Sequence, residues 1–159
     1  MERIAVFPGS FDPFTIGHES IVRRAIPLFD RIIVAIGENT SKKSFFPIEK
    51  RLQWIGEVFE NEPTVSVANF QGLTVDFCKN QGARYLLRGL RTSADFEYER
   101  MIAQVNRAMV PEIESIFLLT EPEYSAINST IVREIIRSGG DASQFLPNSL
   151  DLRSLKIEK

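Results

Sequence analysis

The sequence predicts one α/β domain built on a doubly wound parallel sheet of five strands, with helices on both faces. Three observations predict it. Short apolar runs alternate along the whole chain with stretches that are apolar at helical spacing, the pattern of repeated βαβ units. The run Arg31–Gly37 (RIIVAIG) is apolar at every interior position, as a strand covered on both faces requires. A length of 159 residues, 43% hydrophobic and 25% charged, is enough for one substantial core and fits a single domain, 1–159.

Each element has its own signature. Ile4–Phe7 reads as a first strand that breaks at Pro8-Gly9, and a turn-rich loop leads to a helix from about His18. That helix carries the stripe Ile21, Val22, Ala25, Ile26 and Phe29, and Pro27 kinks or ends it. Arg31–Gly37 is the second strand, followed by a polar loop, Glu38–Phe46. The next helix opens near Pro47 and buries Ile48, Leu52, Ile55 and Phe59. Thr64–Ala68 is the third strand, and Leu73–Gln81 a helix closed by Gly82. Arg84–Leu87 is the fourth, before a helix over about Asp95–Ala108 with Thr92-x-x-Asp95 as its capping box. Ser115–Leu119 is the fifth, and Asn128–Arg137 a helix closed by Gly139-Gly140. The tail reads as a short terminal helix, about 147–159, with a frayed end. There is no repeat, linker or low-complexity segment.

Composition excludes several classes. A net charge of −2 and a pI near 5.5 argue against a nucleic-acid scaffold held by bulk electrostatics. One cysteine, Cys78, leaves no intramolecular disulfide and fits a reducing compartment. Met1-Glu2-Arg3 leads straight into the first strand, leaving no room for a signal peptide in this reading. No apolar run reaches the roughly 18 residues a membrane span needs. A soluble, cytoplasmic protein is expected.

In a Rossmann-like sheet every strand-to-helix loop leaves from the carboxyl edge, where ligands bind at the switch point. The chemistry-bearing residues fall in five such loops: Ser10 to His18, Lys42, Gly72 to Thr74, Arg88 to Arg91, and Tyr124 to Thr130. In the first, a strand runs through a glycine turn into a helix N-terminus. Backbone N–H groups and the positive end of the helix dipole then face one point, a ready anion site. His18, the only histidine, stands there. Taken singly, each candidate has a plainer reading. A lone histidine is more often structural, and the Lys42-Lys43 pair is ordinary solvated surface. Arg88 and Arg91 suit salt bridges to Asp95 or Glu97. Thr74 suits a helix start. Convergence on one rim shifts the balance towards phosphate binding.

The segment Pro8-Gly9-Ser10-Phe11-Asp12-Pro13 with Thr15-x-Gly17-His18 resembles the phosphate-binding signature of the nucleotidyltransferase superfamily. Ile127-Asn128-Ser129-Thr130-Ile131-Val132-Arg133 resembles its C-terminal signature. Ser41-Lys42-Lys43, Leu87-Arg88-Gly89-Leu90-Arg91 and Asp95-Phe96-Glu97-Tyr98-Glu99 narrow the likeness to the bacterial phosphopantetheine adenylyltransferases. It runs from about Arg3 to Pro147.

The resemblance implies transfer of the adenylyl group of ATP to 4′-phosphopantetheine. A phosphate nucleophile is already ionised, so catalysis rests on positioning and charge stabilisation rather than on a strong base. It implies catalytic roles for His18, Lys42 and Arg91, with Ser10, Lys42, Thr74 and Arg88 on the acceptor. Ser10, Phe11, His18, Gly89, Leu90, Arg91, Glu99, Tyr124, Ser125, Ala126, Ile127, Asn128, Ser129 and Thr130 fall to ATP. Threonine is common in relatives at the Ser10 position, an apolar residue at Thr74, and serines at Asn128 and Thr130. Asp12 is expected to organise the turn, since a carboxylate repels phosphate. No residue cluster suggests a fixed metal site, so Mg²⁺ is expected to arrive with ATP. The resemblance also implies a homohexamer, without nucleic-acid or membrane partners. Two alternatives remain: a sister nucleotidyltransferase with another phosphate acceptor, and a nucleotide-sensing protein without catalysis.

Overall fold

A computed structural model of the chain describes residues 1–152. Five strands form one parallel sheet: β1 (Ile4–Gly9), β2 (Arg31–Gly37), β3 (Val65–Phe70), β4 (Tyr85–Leu90) and β5 (Glu114–Leu119). Their order is β3-β2-β1-β4-β5, so the winding reverses between β1 and β4. The helices are α1 (Ile16–Ala25), α2 (Ile48–Val58), α3 (Thr74–Asn80), α4 (Ser93–Met109) and α5 (Ser129–Arg137).

Alternation along the central strands divides the core between two faces. Ala5, Phe7, Ile32, Val34, Ile36 and Leu87 pack with Ile21 and Val22 of α1 and Ile55 and Val58 of α2. Ile4, Val6, Ile33, Ala35 and Leu86 pack with Val75 and Cys78 of α3, and with Val110 and Ile113. A third cluster joins Phe46 and Trp54 to Val132 of α5 and to Leu146 and Leu150.

Register makes the switch point a gap. β1 stays paired with β2 from Ile4↔Arg31 to Gly9↔Ile36, and β4 with β5 from Tyr85↔Glu114 to Leu90↔Leu119. β1 and β4 pair only at Ala5↔Tyr85 and Val6↔Leu86. The halves of the sheet therefore separate beyond Val6 and Leu86.

Several boundaries differ from expectation. β1 does not break at Pro8-Gly9, because β2 continues to pair with it. Proline fits because its carbonyl turns towards β4; the side where its N–H is missing carries no ladder bond there. β4 likewise runs on through Arg88, Gly89 and Leu90, which lie in the strand and not in a loop after it. β3 lies slightly later than Thr64–Ala68. The first helix starts at Ile16 because Thr15 is its N-cap. It ends at Ala25, and Pro27 follows in a short 3₁₀ turn. Thr92 caps α4 by accepting from Asp95 N at 3.1 Å, but the Asp95 carboxylate turns to Arg91, leaving half a capping box. Residues 147–151 are not helical; Leu150 N closes a turn on Pro147 O at 3.0 Å. The last part of the expected terminal helix, 153–159, lies outside the described residues.

Candidate active site

Arg88 fills the gap between the central strands. Its Nη1 donates to the Pro8 carbonyl at 2.6 Å, while Nε and Nη2 donate to Glu99 Oε2 and Oε1 at 3.0 and 2.6 Å. Glu99 comes from α4 and is buried. A charge-assisted fork of this kind fixes the plane of the guanidinium as well as its position. Arg91, at the end of the same strand, is held by Asp95, whose Oδ2 accepts from both its N and its Nε at 3.2 Å.

His18 faces this pair from α1. Thr15 Oγ1 accepts from His18 N at 3.4 Å, and Thr15 N–H donates to His18 Nδ1 at 2.9 Å, a reciprocal cap in which histidine replaces the usual glutamate. An amide can only donate, so Nδ1 carries no proton and the neutral ring holds its proton on Nε2. Nε2 has no protein partner among the described residues, yet no buried side-chain nitrogen lacks one, so Nε2 opens into the cleft. The ring packs against Phe11 and Phe14, with centroids 5.0 and 5.3 Å away. Burial, then the charges of Arg88 and Arg91, push the imidazole pKa down to about 3. At neutral pH it is an uncharged N–H donor.

The turn between these groups is gripped at alternate carbonyls by three arginines. Arg88 holds Pro8 O, Arg51 Nη1 holds Ser10 O at 2.7 Å, and Arg133 Nη1 holds Asp12 O at 2.8 Å. Phe11 between them has a φ of 46°, a left-handed conformation rare outside glycine. Asp12 organises more than its own turn: its carboxylate accepts Phe45 N and Phe46 N at 2.7 and 2.9 Å, tying down the loop after β2. Ser129 Oγ donates to Pro13 O at 2.8 Å and fastens α5 to the same turn. Asn128 caps that helix through Ile131 N at 2.9 Å.

Most of the expected residues meet. Ser10, Phe11, His18, Arg88, Gly89, Arg91, Glu99, Tyr124, Ile127, Asn128 and Ser129 line one cleft of about 300 Å³. Lys42 does not line it. This exposed lysine lies in an adjoining groove, and Ser10 is common to both. Thr74, the first residue of α3, lines a third hollow of about 270 Å³ that shares Arg88 and Glu99 with the cleft. Leu90 is buried in the core, and Ser125, Ala126 and Thr130 stand outside the cleft lining. Thr130 Oγ1 accepts from Arg133 Nη2 at 3.2 Å. The salt-bridge alternative for the arginines holds with one change: Arg91 takes Asp95, whereas Arg88 takes Glu99 and neither Asp95 nor Glu97.

Sequence reasoning gave no role to Arg51 or Arg133. Arg51 left a signal in the buried spacing Arg51, Trp54, Ile55, Val58, which puts a cation on the apolar face of α2. Arg133 left none beyond its place in the C-terminal signature.

A parallel sheet parted at its switch point, a glycine turn into a helix N-terminus, and histidine and arginine donors facing one cleft define a nucleotidyl-transfer class of protein. Comparison with known proteins agrees: residues 6–135 match the family model described as cytidylyltransferase-like. The phosphopantetheine adenylyltransferase of Flavobacterium psychrophilum is 53% identical over 151 residues, covering 95% of this chain and 99% of its own. That of Leptospira biflexa is 49% identical over 148 residues, covering 93% and 92%. The chain belongs to the phosphopantetheine adenylyltransferase family. A bifunctional NMN adenylyltransferase/ADP ribose pyrophosphatase from Francisella tularensis shares the fold at a TM-score of 0.70 and 21% identity, covering 94% of this chain. This chain spans 46% of that longer one.

Proposed function

We propose that the chain transfers the adenylyl group of ATP to 4′-phosphopantetheine, giving dephospho-coenzyme A and pyrophosphate. An acceptor phosphate oxygen bonds to the α-phosphorus as the bond from that phosphorus to the α–β bridging oxygen breaks. Pyrophosphate leaves with the electron pair. Neither step needs a strong base, only two polyanions held in line.

One observation carries this reading: the Nε2–H of a neutral His18 opens into the cleft that Arg88 and Arg91 also line. His18 donates to the α-phosphate as its charge grows, and Arg91 holds the nucleotide phosphates. Arg88, shared by the cleft and the hollow that contains Thr74, takes the acceptor phosphate, and the pantetheine arm runs along that hollow. Lys42 reaches the reacting phosphates from the adjoining groove past Ser10. Tyr124, Ile127, Asn128 and Ser129 of the 124–130 segment wall the adenine, and Glu99, which also lines the cleft, faces the nucleotide side while it holds Arg88 for the acceptor.

Mg²⁺ comes in with ATP, held by phosphates and water. The cleft carboxylates Asp95 and Glu99 fit that arrangement, being engaged by Arg91 and Arg88, and Asp12 in the adjoining groove is engaged by backbone amides. Among the described residues no group of three His, Cys, Asp or Glu could hold a metal. The working form is a homohexamer in the cytoplasm. In support, α4 exposes Tyr98, Met101, Ile102, Val105 and Met109 at helical spacing, a large apolar face for a monomer to leave in water. No described helix is long and apolar enough to cross a membrane.

Pyrophosphate release tests the proposal. It is expected from ATP with 4′-phosphopantetheine and not from ATP alone, nor with nicotinamide mononucleotide as acceptor. ATP binding with no turnover on any phosphate acceptor would overturn it. Sedimentation velocity at micromolar concentration tests the hexamer.

A further inference from the structure

Arg51 is a buried cation with an unusual set of partners. It is 6% exposed, and among the described residues no carboxylate lies at ion-pair distance. Its guanidinium bonds only to backbone carbonyls: Nε to Phe46 O at 3.1 Å and Nη1 to Ser10 O at 2.7 Å. Asp12, itself 7% exposed, answers from the other side by accepting the amides of Phe45 and Phe46. The Phe46 peptide units and the 10–12 turn are thus stitched together by two opposite charges that do not pair with each other.

Burying two separate ions is costly, and trading them for apolar residues is often neutral or stabilising. Their geometry indicates what they achieve. In a trans peptide the carbonyl and the next N–H point opposite ways. Holding Ser10 O against Arg51 therefore turns the Phe11 N–H to the other side of the turn, away from α2. Holding Phe46 at both its N–H and its C=O fixes the end of the 38–46 loop, which carries Lys42.

We infer that Arg51 is a positioning residue for adenylyl transfer: with Asp12 it clamps the phosphate-binding turn to the Lys42 loop, so that Lys42 and the turn's amides address the same phosphates. Arg51 touches no substrate. It acts through Ser10 and Phe46, and this rests on the reading that Lys42 contacts the reacting phosphates.

A double-mutant cycle separates the two ideas. Steady-state pyrophosphate release is measured for the wild type, Lys42→Ala, Arg51→Lys and the double variant, with kcat and KM resolved. Lysine keeps the charge but cannot span both carbonyls. Arg51→Lys is expected to lower kcat roughly 10-fold with KM for ATP within about 3-fold, a loss confined to the transition state. In the Lys42→Ala background the same change is expected to cost less than about 3-fold, since residues acting as a unit are not additive. Wild-type turnover in Arg51→Lys, or losses that multiply in full, would overturn the clamp. Wild-type turnover in Lys42→Ala would instead overturn the reading of Lys42.

Hydrogen exchange covers the case in which Arg51→Lys does not fold. In the Lys42→Ala protein, where direct contact by the lysine is gone, a non-hydrolysable ATP analogue should slow exchange at 44–46 as well as at 10–18. Protection limited to 10–18 would overturn the clamp.

Discussion

The Nη1 of Arg88 meets the carbonyl of Pro8 at 2.6 Å across the place where β1 and β4 stop pairing. A ladder bond between strands would have closed the sheet there. A side chain bridges it instead, and the bridging group brings a positive charge to the floor of the cleft. The gap thus provides both an opening for ligand and a fixed cation in it. Glu99 completes the device by holding the other edge of the guanidinium, so the charge is aimed before substrate arrives.

Replacing Arg88 by lysine tests that geometry. An ammonium has no planar fork and cannot serve Pro8 O and both Glu99 oxygens. Without the fork the cation is no longer aimed at the acceptor, and losing one charge-assisted bond to its phosphate, at about 1.5–3 kcal/mol, corresponds to at least 10-fold in affinity. The loss should fall on 4′-phosphopantetheine, with ATP affinity changed far less, as read by isothermal titration of each substrate. Glu99→Gln should reproduce part of the defect by loosening Arg88 without touching its charge.

His18 gives a pH prediction with a definite sign. Its folded pKa is lowered from 6.5 to about 3. The unfolded chain therefore takes up a proton as pH falls through about 6.5, while the native protein does not until about 3. The contribution of this site to stability is complete above pH 6.5 and is lost progressively between 6.5 and 3. As the sole histidine, its ring gives one set of nitrogen and carbon resonances, free of overlap. These should stay fixed from pH 8 to pH 5 and show Nδ1 unprotonated with the proton on Nε2. A titration near 6.5 would contradict the structure. His18→Ala should lower kcat by roughly 10²–10³-fold, the scale of one lost transition-state donor.

Lys42 and Lys43 are adjacent, exposed and line the same groove, so bulk charge would make them equivalent. A specific role makes them unequal. Lys42→Ala should cut kcat by about 10²-fold, in the range of a lost electrostatic contact to the reacting phosphates, and Lys43→Ala should leave it nearly unchanged. Equal losses in kcat would show that the pair supplies only background potential.

The order of elements and the rim that gathers the site residues were legible in the sequence, because alternating apolar periods and turn residues report them directly. The strand ends were not. Pro8-Gly9 and Arg88-Gly89 have the local chemistry of turns, and only pairing with β2 and β5, distant in sequence, keeps them extended. The meeting of His18, Arg88 and Arg91 followed from topology, whereas Lys42's place in an adjoining groove did not, since a nine-residue loop, 38–46, can fold in many ways. Arg51 was hidden by habit: an arginine is read as surface, although its spacing with Trp54, Ile55 and Val58 marked it as buried.

Gly9 supplies a test of how tightly the turn is built. A Cβ placed there would lie 2.8 Å from two atoms of the Phe11 ring, closer than such contacts occur. The ring cannot simply swing aside. Phe11 is 3% exposed, its φ is already 46°, and its ring packs against Phe7 and Phe14 as well as His18. Gly9→Ala must therefore push the Phe11 ring towards the imidazole or shift the turn that the three arginines hold. Overpacking of this kind costs about 1–3 kcal/mol, which a thermal melt should show. The effect on turnover should be larger than on ATP affinity, because His18 and the Phe11 amide lose alignment while Arg91, just past β4 and held by Asp95, keeps its place. A Gly9→Ala protein with unchanged melting temperature and kcat would mean that the turn yields freely, and that its amides are not the fixed donors the geometry describes.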